Sequence, residues 1–287
     1  MNITFGALGM CNSGGGPVRP EYYDPKNPPT FDYQPAVRLG LTLDAIDYNL
    51  PATPLGEKIL RRTIDAAKAA GVTNFHVTFD LDPIWPVRQS ALFKVELAKF
   101  FQTFPEVRSI GLLREPNGRG ITATKYVAFQ DVAVPMIRHL APNVGIVSAC
   151  LGVAEFDPAW IWAREAFKTR PMMPDAFGLN WLGSGWQHAL KLNEGIANMR
   201  SIIGDREIIL TECGSPGEPE QSNVLQGYDL ITMSQIAIAH GITIIYAPWM
   251  RAGILKGTFK NHGILNEDGS PRRPSYEMLR QFIASVK

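Results

Sequence analysis

Apolar residues in this chain fall into two kinds of segment that alternate. One kind is a short, nearly unbroken run: ITFGALGM (3–10), AVRLGLTL (36–43), TNFHVTF (73–79), RSIGLL (108–113), GIVSAC (145–150), DAFGLNW (175–181), EIILTE (207–212) and TIIYAPW (243–249). The other repeats its apolar positions every three or four residues. EKILRRTIDAAKAAG (57–71) sets Ile59, Leu60, Ile64, Ala67 and Ala70 on one stripe and stops at Gly71, a residue suited to a helix C-terminus. Residues 92–104, 124–140, 186–203 and 223–240 repeat that period, the last ending at His240-Gly241. Strands alternating with helices imply parallel pairing through crossover connections, and a parallel sheet covered on both faces explains why the strands are almost wholly apolar. Eight such runs predict an α/β fold closed as a (β/α)8 TIM barrel rather than an open doubly wound sheet.

The segment from Cys11 to Pro35 breaks the alternation. It holds SGGGP and several prolines but no helical stripe, and it reads as a long irregular loop replacing the first helix. Gly14–Gly16 is not followed by GK[ST] or by a GxGxxG pattern, so a phosphate cradle is not expected. With no internal repeat, residues 1–287 read as a single (β/α)8-barrel catalytic domain.

Composition narrows the partners. A formal charge of +1, with no basic run, gives no reason to expect nucleic acid or an anionic membrane surface. No apolar stretch reaches the roughly eighteen residues that span a bilayer, and MNITFGALGM carries no visible signal peptide. Cys11, Cys150 and Cys213 have no CxxC spacing and read as reduced structural thiols. Six tryptophans suit a flat carbohydrate ligand, although ordinary core filling explains them as well.

Two runs end in a lone glutamate next to turn residues: Glu115 in GLLREPNG and Glu212 in EIILTECG. Counted along the barrel, Glu115 follows the fourth strand and Glu212 closes the seventh, so both are expected at the mouth where catalytic side chains collect. A single strand-end glutamate is accounted for by a salt bridge or a helix cap. Two that face each other can divide acid and nucleophile roles, as glycosidic cleavage with retention requires.

In these features the chain resembles the clan A glycoside hydrolases, the retaining (β/α)8 group. In that group an acid/base glutamate follows strand four in Asn-Glu-Pro, and a nucleophile ends strand seven as Thr-Glu-aromatic-Gly. Here REPNG and LTECG place Glu115 and Glu212 at those points, with Pro116, Asn117, Thr211 and Gly214. The resemblance implies a tryptophan after strand eight under a sugar, matched by Trp249, and a strand-two arginine near the nucleophile, matched by Arg38. It implies that a closing Asp-Gly turn, in GILNEDGSPRRPSYEMLRQF, leads to a final helix. Asn117, Asn180, Trp181 and Tyr246 are further candidates for substrate contacts, with Trp85 and Trp186 behind them. The chain departs from the family at Arg114, where an asparagine normally holds the sugar 2-hydroxyl. It departs again at Asn180-Trp181, where a histidine or tyrosine is usual, and at Asp80-Leu81-Asp82, where a histidine is common.

Arg114 has two readings. Beside Glu115 it would favour the ionised carboxylate, which is wrong for an acid; turned away, it would grip a uronate or sulfate. Asp80 and Asp82 suit a cap or a hydroxyl contact better than a metal, and His188, His240 and His262 show no ligand spacing, so neither a metal nor another cofactor is expected. His76 lies within a strand and is expected to face the core or a helix. The implied partner is an oligo- or polysaccharide, cleaved with the two glutamates. The rival is a glycan-binding barrel that has lost turnover, for which Arg114 and the missing strand-six histidine argue.

Overall fold

Eight parallel strands follow one another around a closed barrel in sequence order, and β1 (Thr4–Asn12) returns to pair with β8 (Ile244–Ala247) through Thr4↔Ile244, Phe5↔Ile245, Gly6↔Tyr246 and Ala7↔Ala247. A computed structural model describes residues 3–12, 33–152, 157–169, 171–247, 261–266 and 270–287. The expected α/β barrel is therefore the observed one, but the irregular loop expected over Cys11–Pro35 in place of the first helix is not: Cys11 belongs to β1 and a short helix spans Gln34–Leu39 before the second strand, while residues 13–32 lie outside the described residues. Three of the described helices start at side-chain caps. Thr53 accepts from Gly56 N–H at 3.0 Å to open α2 (Pro54–Ala70). Thr122 and Ser222 do the same for α5 (Ala123–Leu140) and α8 (Asn223–Ala239). Gly71 ends α2 at φ 107°, a left-handed conformation that costs a glycine little. The stripe Ile59, Leu60, Ile64 and Ala67 is buried as its spacing required, each branched side chain contributing roughly 1.5–3 kcal/mol.

One strand lies elsewhere than expected. AVRLGLTL is not a strand: Gln34–Leu39 form a short helix, α1, with Pro35 in its first turn. Gly40 at φ 94° donates back to the carbonyls of Ala36 and Val37. A proline near the start and a glycine just past the end fixed a helix where the apolar run alone suggested β. The true β2 is Leu43–Asn49, LDAIDYN, in which Ile46 and Tyr48 are buried and alternate with Asp47 and Asn49. Tyr48 lies 5.2 Å, ring to ring, from Phe100 of α4 (Ser90–Thr103). Strands β3 (Asn74–Asp80), β4 (Val107–Gly111), β5 (Gly145–Leu151), β6 (Ala176–Leu182) and β7 (Glu207–Gly214) fall on their runs. The helices α3 (Ile84–Arg88), α6 (Asp157–Ala166) and α7 (Trp186–Ile203) cover the outside. The final helix that the resemblance implied is α9 (Ser275–Val286); the Asp268-Gly269 turn before it lies outside the described residues. Among the described residues no helix is long and apolar enough to cross a membrane.

The main core lies between barrel and helices, while a small second cluster of Val147, Ala176 and Ile209, with Ile244 against it, comes from β5, β6, β7 and β8. That register decides which side chains can reach the mouth.

Candidate active site

Each strand sends alternate side chains inward and outward, so a register slip changes what a residue faces. On β7, Ile209 joins the small inner cluster and Leu210 the outer core. Strict alternation would then turn Glu212 outward. It does not, because pairing with β6 skips a residue: Leu179 opposes Leu210 but Asn180 opposes Glu212. The extra residue, Thr211, makes a bulge that turns Glu212 inward and Cys213 outward, where its Sγ lies 3.7 Å from Met233 of α8.

Glu115 is placed by different means. After β4 the chain makes one further bridge, Arg114 to Cys150 on β5, and then turns at Glu115 with φ 40°. Among the described residues this is the sole non-glycine with positive φ, a strained conformation typical of functional turns. Its N–H points at Cys150 Sγ, 3.3 Å away. Asn117 stabilises the turn: its amide donates to Gly152 O at 2.6 Å and accepts from Gly152 N–H at 3.0 Å. A side chain at position 152 would force Glu115 to shift, since a Cβ there would lie 2.7 Å from Glu115 Oε1.

The two carboxyls are bridged by neighbours. Asn180 Nδ2 donates to Glu115 Oε1 at 2.8 Å, and Thr211 Oγ1 donates to Asn180 Oδ1 at 2.7 Å, which fixes the orientation of the amide. Arg114 Nη2 sits 3.0 Å from Glu212 Oε1, and its Nη1 sits 2.7 Å from Asp47 Oδ2 on β2. Arg114 therefore turns neither onto Glu115 alone nor outward to a glycan anion; its two nitrogens are engaged by Asp47 and Glu212. Glu212 is 2 % exposed. Burial pushes its carboxyl up to about 8; Arg114 pulls it down, Glu115 and Asp47 add like charge, and Asn180 pulls it down slightly. Below the site, His76 is buried inside the barrel with Nδ1 2.7 Å from Ser109 Oγ, and burial lowers it to about 4, a neutral imidazole.

A cleft of about 630 Å³ lies at the ends of β2 and β3, and none of Glu115, Glu212, Arg114, Asn180 and Asp47 lines it. Asn49, Asp80, Asp82 and Arg119 supply its polar lining. Asp80 pairs with Arg119 at 2.6 Å, and Asp82 caps Ile84 N–H at 3.0 Å. Among the described residues no group of three or more His, Cys, Asp or Glu side chains converges as a metal site would require.

Several candidates lie away from the cluster. Arg38 is exposed on α1, because the run that carries it is a helix; it is not beside Glu212, and Arg114 occupies that position. Trp181 is 2 % exposed and faces outward, as alternation after the inward Asn180 demands. Its indole N–H donates to His188 O at 3.0 Å, and its ring stacks on His188, so no sugar reaches it. Asn117 is occupied by Gly152 rather than presented to a ligand. Trp85 packs on Phe93, whereas Trp186 stands 64 % exposed at the start of α7. Tyr246 lies on β8 opposite Gly6; its side chain and Trp249 are outside the described residues. The residue that sequence reasoning missed is Asp47. Its signal was present, as a polar position alternating with Ile46 and Tyr48, but two aspartates and an asparagine hid the strand.

No family model and no curated protein matches this sequence. Solved structures do, and they share its (β/α)8 barrel. A GH5-4 broad-specificity endoglucanase from Clostridium longisporum superposes with a TM-score of 0.69 at 11% identity, over 99% of this chain and 97% of that one. A GH5 xyloglucan-specific endo-β-1,4-glucanase from a metagenomic library, in complex with cellotriose, gives 0.67 at 13% identity over 98% and 96%. A GH128 exo-β-1,3-glucanase from Aureobasidium namibiae gives 0.58 at 14% identity over 88% and 93%. At these identities the likeness is one of fold.

Proposed function

We propose that the chain, as one catalytic domain over residues 1–287, is a retaining glycoside hydrolase that cleaves an oligo- or polysaccharide by double displacement. The observation that carries this reading is the meeting of Glu115 and Glu212, remote in sequence, across Asn180 at one end of a closed barrel. Glu212 attacks the anomeric carbon, and protonated Glu115 gives its proton to the departing glycosidic oxygen. Glu115, now a base, then takes a proton from the water that releases the sugar from Glu212. Attack requires Glu212 ionised, and Arg114 favours that form against the cost of burial. Proteins of this fold named as endoglucanases and xyloglucanase make glucans the first substrates to try.

The test is release of reducing ends from a panel of glucans and xylans, with Glu212→Gln as control, followed by mass spectrometry of the protein after exposure to a fluorinated glycoside. Release that disappears in the variant, and a sugar adduct on Glu212, support the reading. A second reading is favoured by the Arg114–Glu212 ion pair, which occupies the nucleophile: a glycan-binding barrel without turnover. Glycan binding with no release in either protein would replace the first reading by the second.

A further inference from the structure

An arginine on a flexible stem does not by itself hold one position against a buried carboxylate; something must fix the guanidinium plane. Here Arg114 reaches from just past β4 across the barrel mouth, and its two terminal nitrogens end on carboxylates from two other strands. Asp47 Oδ2 on β2 is 2.7 Å from Nη1, and Glu212 Oε1 on β7 is 3.0 Å from Nη2. Asp47 is 17 % exposed and Arg114 is 24 % exposed, so this pairing is shielded more than a surface ion pair is. The backbone of Arg114 is held independently, by its bridge to Cys150 and a 3.5 Å contact from Arg119 Nη1 to its carbonyl. What remains to be fixed is the side chain.

We propose that Asp47 is a positioning residue that pins Arg114 onto Glu212, so that the charge on one strand sets the state of the carboxylate on another. The inference rests on the reading of Glu212 as nucleophile for its consequence in turnover, but not for its geometry. Asp47 touches no reacting atom; it acts through Arg114. Among the described residues the ionisable groups acting on Glu212 are Arg114, Glu115 and Asp47, and Cys150 from β5 also senses its charge. Two effects of Asp47 oppose each other. As a bare negative charge it raises Glu212. As the anchor of Arg114 it secures the cation that lowers Glu212. Pinning means the second effect is the larger, and that fixes the sign of the experiment.

The measurement is the ionisation of Glu212, read by infrared difference spectra of each protein against the same protein carrying Glu212→Gln, over a pH series. In the unaltered chain the carboxyl titrates near 8. In Asp47→Ala, Arg114 is released and the midpoint rises by about one pH unit or more. In Asp47→Asn, whose amide oxygen still accepts from Arg114 while the like charge is gone, the midpoint does not rise. In Asp47→Ala a midpoint that falls, as loss of a like charge with Arg114 unmoved would produce, overturns the proposal, and so does one that stays put. If Asp47→Ala does not fold, Asp47→Val, which suits a strand and offers Arg114 no oxygen, decides by the same sign. On a cleaved glycan, kcat/KM of Asp47→Ala falls about tenfold per unit of that rise near neutral pH and recovers toward the unaltered rate at high pH. A pH-independent loss overturns the proposal. Should the chain cleave no glycan, the hydrolase reading fails while the infrared titration still judges Asp47.

Discussion

Glu115 and Glu212 are the same side chain at the ends of two strands of one barrel, yet the protein treats them differently. Glu212 lies within a bulged strand, 2 % exposed, with one oxygen on a guanidinium. Glu115 stands on a strained turn past its strand, partly exposed, with one oxygen on a neutral amide. The first is a carboxyl locked in place, where charge is costly and must be compensated. The second is open to solvent at a turn held by the clasp of Asn117 on Gly152, as suits a group that gives and retakes a proton. The division of roles in the proposed mechanism follows from this contrast rather than from the sequence motif alone.

The contrast is broken most severely by Glu212→Gln. With no nucleophile, kcat is expected to fall on the order of 10⁴-fold or more on every substrate. Glu115→Ala should fall less evenly: about 10²–10⁴-fold on a natural glycan, where the leaving oxygen needs a proton, and far less in glycosylation by an aryl glycoside whose phenol leaves unaided. Pre-steady-state release of the phenol separates the two cases, and equal losses on both substrates would remove the distinction. Stability gives an independent readout of the buried member. A carboxyl near 8 in the folded chain and near 4.5 unfolded means that the folded state binds the extra proton between those values. Its contribution is therefore fully present below pH 4.5 and is lost as pH rises toward 8. Denaturant titration at pH 5 and at pH 9 should show Glu212→Gln losing less stability over that interval than the unaltered chain.

Gly152→Ala attacks the open member. An added methyl would meet Oε1, Cδ and Cγ of Glu115 at 2.7–2.8 Å, and the strained turn leaves the carboxyl no easy retreat. A displacement of around 1 Å at a reacting group costs on the order of 10²-fold. The expected result is a fall of that size in kcat on natural glycans with the melting temperature nearly unchanged. A large loss of stability with kcat preserved would show that Glu115 keeps its place and the backbone yields instead.

How much of this was legible in the chain depends on what each residue needed. The barrel was readable because apolar runs and helical stripes report burial directly, and the two glutamates because they end such runs. β2 was not, since its inward positions are Asp47 and Asn49 and the apolar run before it is broken into a helix by Pro35 and Gly40. Arg38 was misplaced by that same error. Trp181 was misread because parity beside a bulge cannot be counted from composition: one unpaired residue on β7 brings Glu212 to Asn180, while Trp181 continues the alternation outward. Asn117 matched a motif position, but only coordinates reveal that its amide is already satisfied by Gly152. Arg114 was singled out correctly as a departure, and its partners, one each on β2 and β7, could not be known without the register.

Thr211→Val gives the smallest and most specific test. Thr211 is the bulge residue, and its hydroxyl donates to Asn180 Oδ1 at 2.7 Å, which leaves the Asn180 amide N–H pointing at Glu115. Valine keeps the shape and removes the donor, so the bulge and the position of Glu212 should persist. A neutral hydrogen bond of this kind contributes about 0.5–1.5 kcal/mol. If the amide were then free to flip, its oxygen would face Glu115 and favour the protonated acid over the carboxylate. The expected outcome is a kcat reduced only several-fold, which Thr211→Ser, with its hydroxyl kept, does not share. A kcat unchanged in Thr211→Val would mean that Asn180 is oriented by its strand alone, and the contrast between a locked and an open carboxyl would then owe nothing to the Thr211 hydroxyl.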